Sequence, residues 1–79
     1  MKKIMFTGLG AEVTESAVRE SLEKIGPVNH VDIYREGNEA APVVVVEMAI
    51  SDAEAFSLTT RVKDLWHNGH LVNARLLLH

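Results

Sequence analysis

The chain has 79 residues, with eight Lys plus Arg against eleven Asp plus Glu, a net charge of −3 and no cysteine. That length supports a single domain over residues 1–79 with a scarce core, because a small domain buries a smaller share of its unfolded surface. The missing thiols exclude disulfides, thiolate metal sites and cysteine nucleophiles, and the acidic balance counts against a protein whose main task is gripping phosphates.

Met1-Lys2-Lys3 begins like a signal peptide, but Thr7, Gly8 and Glu12 interrupt it before an apolar stretch of useful length. With no run long enough to span a bilayer, the expectation is a soluble cytoplasmic protein without a membrane partner. From Lys3 to Leu9 the chain alternates Ile4 and Phe6 against Lys3, Met5 and Thr7, the pattern of a strand with one face in the core. Gly8 and Gly10 mark a loop. Thr14 is an N-cap, with Val13 and Val18 at the two positions of a hydrophobic staple. The helix that follows has Val18, Leu22 and Ile25 on one face, and Gly26-Pro27 stops it.

Val28–Tyr34 reads as a second strand with Val31 and Ile33 inward, and residues 35–41 as a turn. The third strand lies in "APVVVVEMAI", Ala41–Ile50. A half-buried strand alternates apolar with polar residues, and four consecutive valines are apolar on both faces. Ser51 and Glu54 form a capping box that opens a second helix. Its buried stripe is expected at Ala55, Leu58, Val62 and Leu65, widened by Phe56 and Trp66, with Asn68-Gly69 closing it. Val72–His79 reads as the last strand.

The order β-α-β-β-α-β predicts an α+β ferredoxin-like sandwich, in which a four-stranded antiparallel sheet carries both helices on one face. The other face then has nothing in the chain to cover it, which accounts for valines that are apolar on both sides.

"IMFTGL" (Ile4–Leu9) fits the first-strand hexamer of a known family, and "APVVVVEM" (Ala41–Met48) fits its third-strand octamer. "IGPVNHVDI" matches its helix-to-strand junction, and "NGHLVNARLLL" its approach to the last strand. On these segments the chain resembles the RNA-recognition motif (RRM), with a second helix about a turn longer than the family's usual length. The resemblance implies a binding module for single-stranded RNA whose open sheet carries aromatic rings that stack on bases. Carried over position by position, those rings become Met5, Val43 and Val45, and the octamer's basic residue and glycine become Ala41 and Pro42. Tyr34 is the one ring expected to reach the open face, since Phe6 lies one residue out of register and points inward.

RNA contact is therefore expected at Lys3, Met5, Tyr34, Arg35, Val43, Val45 and Arg75. The alternative is a protein partner or a second copy docked on an aliphatic patch of Met5, Val43, Val45, Leu76 and Leu78. Family register places Leu76 and Leu78 outward; hydrophobicity alone turns them inward and Leu77 outward. No catalytic set, cofactor or metal is expected. Ser51 serves as a helix cap, His67 and His70 flank a turn without a third ligand, and His30 and His79 lie on strands.

Overall fold

The computed structural model describes residues 2–35, 37, 42–62, 65–67 and 70–77, with 65–67 and 70 described for their backbone alone. The elements run β1 (Lys2–Thr7), α1 (Glu15–Leu22), β2 (Val28–Tyr34), β3 (Val43–Met48), α2 (Asp52–Arg61), β4 (Leu65–His67) and β5 (His70–Leu77). All strand pairs are antiparallel, in the order β2-β3-β1-β5-β4. This is the expected α+β sandwich with one short strand added at the β5 edge.

Both helices contribute to a single apolar cluster on one side of the sheet. Val18 and Leu22 of α1 and Leu58 of α2 meet Ile4, Phe6, Val28, Val31, Val44, Val46 and Met48. Each such side chain gains roughly 1.5–3 kcal/mol on full burial, so this cluster carries the stability of the fold. Among the described residues no polar or charged side chain is buried, and no helix is long and apolar enough to cross a membrane.

The caps form as the sequence dictates. Thr14 Oγ1 accepts from the Ala17 N–H at 3.2 Å. Ser51 Oγ accepts from the Glu54 N–H at 3.1 Å while Glu54 Oε1 accepts from the Ser51 N–H at 2.9 Å, the reciprocal capping box. The two Ser51 hydrogen bonds hold the Glu54 carboxyl below its ordinary value, with the backbone donor contributing more. Next to it, Lys2 reaches from β1 to ion-pair with Asp52 and lowers the Asp52 carboxyl in turn. Arg19 ties α1 to β2 by donating from Nη1 to the Val28 carbonyl at 2.8 Å.

Several expectations change. α1 ends at Leu22, whose carbonyl accepts from both the Ile25 and Gly26 N–H groups. Ile25 therefore lies past the helix and is 37% exposed. A register shift between Val28 and His30 explains how β2 turns both Val28 and Val31 inward despite their odd spacing. Ile33 packs on the core as read.

α2 stops at Arg61, with Val62 as its C-cap. Leu65 and Trp66 belong to β4, a strand that the periodic apolar pattern had disguised as helix. Their side chains lie outside the described residues. Phe56 does not widen the buried stripe; it points away from the sheet and is 71% exposed. His67 and His70 are Cα partners at the ends of β4 and β5, so they sit on strands rather than within a turn. Asn68-Gly69, Leu78 and His79 lie outside the described residues.

Candidate nucleic-acid interface

The four valines alternate in burial. Val44 and Val46 are fully buried under the helices, while Val43 and Val45 are half-buried on the opposite face. Directly paired residues of an antiparallel sheet share a face, so the register assigns the rest of that face. Glu47 pairs with Lys3 and His30, and Val45 with Met5 and Asp32. Val43 pairs with Tyr34. Across the other side of β1, Lys3 pairs with Leu77, Met5 with Arg75 and Thr7 with Asn73.

The face is thus three rows deep and four strands wide. At its middle Met5 and Val45 form an aliphatic pair, extended by Val43 and Leu77. Charge is divided across it. Lys3 and Arg75 stand on β1 and β5; Asp32 and Glu47 stand on β2 and β3. His30 Nε2 lies 2.9 Å from Asp32 Oδ1, so one acidic group already has a neighbour within its own strand.

Each expected site residue except Leu78, which lies outside the described residues, has a definite place. Lys3, Met5, Val43, Val45 and Arg75 converge on the open face. Tyr34 joins them, 53% exposed, at the β2 corner and three strands from Arg75. Arg35 does not join them. Its Nη1 donates to the Ala11 carbonyl at 2.6 Å and its Nη2 to the Val13 carbonyl, so the guanidinium clamps the β1–α1 loop.

Leu76 leaves the expected patch, because it pairs with Ile4 and packs on the core beside Ala74 and under the helices. β5 therefore takes the register that hydrophobicity favours, with Val72, Ala74 and Leu76 inward and Leu77 outward. The sequence reading missed Asp32, Glu47, Thr7 and Asn73 as members of the face. A period of two taken along each strand, from Met5 to Thr7, Val45 to Glu47, Tyr34 to Asp32 and Arg75 to Asn73, would have found all four. Pro42, at the position of the family's octamer glycine, is fully buried, and Ala41 lies outside the described residues.

Backbone comparison decides the architecture. The chain superposes on the third RRM of Pes4 with a TM-score of 0.81 at 11% identity, covering 100% of this chain and 94% of that one. The chain has the RNA-recognition-motif fold. RNA-binding protein PG1 gives the same TM-score, 0.81, at 17% identity over 100% of this chain and 96% of that one. The Rna15 RRM, solved with bound RNA (GU), gives 0.71 at 10% identity over 96% and 83%. No protein-family model matches the sequence, and no curated protein is significantly similar to it. The backbone thus has the RRM fold, and the open-sheet positions at which the resemblance would put rings carry Met5, Val43 and Val45.

Among the described residues no group of three or more His, Asp or Glu side chains converges as a metal site. The chemistry the open face offers is apolar contact, two cationic donors, two carboxylates and one exposed ring.

Proposed function

We propose that this protein is a non-catalytic RRM-type module that binds single-stranded RNA without ring stacking at its centre. The observation that carries the reading is the pairing of Met5 with Arg75, and of Lys3 with Leu77, on the uncovered face. This places two cations beside an apolar strip on adjacent strands. Phosphates track the β1/β5 half, since Asp32 and Glu47 repel them from the other. Bases lie on Met5, Val45 and Leu77, and Tyr34 offers one stacking platform at the far corner.

Aromatic stacking is worth about 1–3 kcal/mol per base, and aliphatic contact supplies less. Binding is accordingly weak and led by phosphate contact. The test is fluorescence anisotropy of a labelled degenerate single-stranded RNA pool at low and physiological salt. Saturable binding that falls steeply with salt is expected. Each phosphate contact contributes roughly 0.7 to the logarithmic salt slope for a single strand, so Lys3→Ala with Arg75→Ala should remove about 1.4 of it. No binding at low salt, or a slope unchanged in the double variant, refutes the reading.

A further inference from the structure

The division of charge on the open face has a geometric property beyond RNA contact. Take a two-fold axis lying in the plane of a face-to-face contact, parallel to the strands and midway between β1 and β3. Such an axis lays each strand of one copy over its mirror position in the other, β1 on β3 and β5 on β2. The register then sets Lys3 against Glu47 of the second copy and Arg75 against Asp32 of the second copy. Met5 falls on Val45 of the second copy, close to the axis. Each of these contacts occurs twice, as an isologous interface requires.

We propose that the open sheet face pairs with a second copy of this chain in this dyad arrangement, forming a homodimer held by an aliphatic centre and four complementary charge pairs.

Three features support a second copy rather than an unrelated protein. The charges are self-complementary under one simple symmetry operation. Met5 and Val45 occupy the middle row on either side of the axis, while Lys3 and Glu47 stand at the end of the same two strands and Arg75 and Asp32 on the flanking strands. The charged groups thus surround the apolar centre, where exposed ion pairs select register and partner more than they add affinity. Tilting the axis about 15° from the strands gives the aligned packing of twisted sheets, in which strand directions differ by about 30°, and leaves the central pairing in place.

The contact is small, which leaves little surplus over the cost of association. Four strands about 4.8 Å apart, each presenting three side chains about 6.8 Å apart, cover roughly 19 by 20 Å. Counted over both copies, such a contact buries roughly 800 Å², below the roughly 1,000 Å² of a stable specific interface. The dimer is therefore weak, and it competes with RNA for the same side chains. The proposal goes beyond the RNA reading and does not depend on it.

Sedimentation equilibrium from about ten micromolar to about one millimolar, a range that reaches weak association, tests it. The wild type should show a reversible monomer–dimer equilibrium. Lys3→Glu alone and Glu47→Lys alone each place like charges across the dyad twice, and each should weaken the dimer at least tenfold. Mixing the two variants restores opposite charges in both pairs, so the mixture should form a heterodimer where neither variant dimerises alone. Thermal melts of each variant establish that it is folded.

A wild type that stays monomeric at the highest concentration overturns the proposal, as does a dimer indifferent to both charge reversals. Failure of the mixed pair to associate overturns the dyad. The RNA titration is scored separately, with dilute protein: binding by a wild type that never dimerises leaves the RNA reading standing alone.

Discussion

Four identical residues in a row make β3 its own control. Val46 lies between Ile4 and Val31, and Val44 between Phe6 and Ile33, all beneath the helices. Val45 lies between Met5 and Asp32 on the open face. Truncating a buried valine to alanine removes two carbons, a transfer loss of about 1.6 kcal/mol. A residual cavity of about 40 Å³ adds up to about 1 kcal/mol. Alanine's poorer strand propensity applies equally to every position and cancels within the strand.

Val44→Ala and Val46→Ala should therefore each cost about 2–3 kcal/mol, and Val45→Ala less than about 1 kcal/mol. For a domain of this size the contrast amounts to a difference in Tm of roughly 6–12 °C. Urea denaturation followed by circular dichroism, with protein dilute enough to be monomeric, measures all three. Equal costs at positions 45 and 46 in dilute solution would refute the assignment of faces, and with it both proposals built on the open sheet.

Other consequences follow from individual contacts. Gly8 has φ +85, and a Cβ there would collide with the Leu71 carbonyl. Gly8→Ala should destabilise by at least about 1–2 kcal/mol from the left-handed backbone alone, read as a fall in the urea midpoint. Arg35→Ala should loosen the β1–α1 loop, costing about 1–2 kcal/mol for two exposed charge-assisted hydrogen bonds. RNA affinity measured on the still-folded variant should change little; a loss as large as that of Arg75→Ala would return Arg35 to the binding face.

The Glu54 carboxyl is held below its ordinary value of 4.5 by Ser51. Its stabilising contribution is complete above that value and is lost as pH falls through the lower folded value. In urea midpoints taken from pH 6 to pH 3, Glu54→Gln should show a shallower acid decline than wild type. An identical decline would assign the acid sensitivity to other carboxylates.

Much of the fold was legible because its signals are local and agree with one another. Thr14 and Ser51 announced both helix starts through side-chain oxygens that find backbone donors within one turn. The alternation of Ile4 and Phe6 fixed the facing of β1. The misread segments are those where two periods coincide. Leu58, Val62 and Leu65 fit a helical stripe, yet Leu65 pairs with Val72 in a hairpin instead. That pairing is a contact between two chain segments that no window on one of them reveals.

The same holds for Leu76, whose neighbours Leu77 and Leu78 are chemically alike, so hydrophobicity alone leaves two registers nearly equivalent. Pairing with Ile4 settles the matter. For the site, Lys3 and Met5 were readable from alternation along β1, while Val43 and Val45 came from the resemblance, since four like residues show no alternation, and the facing of Arg75 hung on the undecided register of β5. Arg35 was not readable, because its partners are backbone carbonyls 22 and 24 residues away, and carbonyls carry no mark in a sequence.

The strand order also governs how the molecule can form. β1 is central, flanked by β3 and β5, and Lys3 pairs with Leu77 from nearly the opposite end of the chain. The early part of the chain, Lys2–Met48, can build the β2–β3–β1 ladder, but in it β1 presents an open hydrogen-bonding edge. Closing the loop that brings β5 to that edge costs entropy before any contact repays it. Joining β5 to β1 is thus a strongly non-local step in assembling the sheet, and a chain in which it has not formed exposes a template for strand addition by its neighbours. Loss of the residues from Asn73 onward would remove β1's second neighbour and leave a species more prone to association than to function.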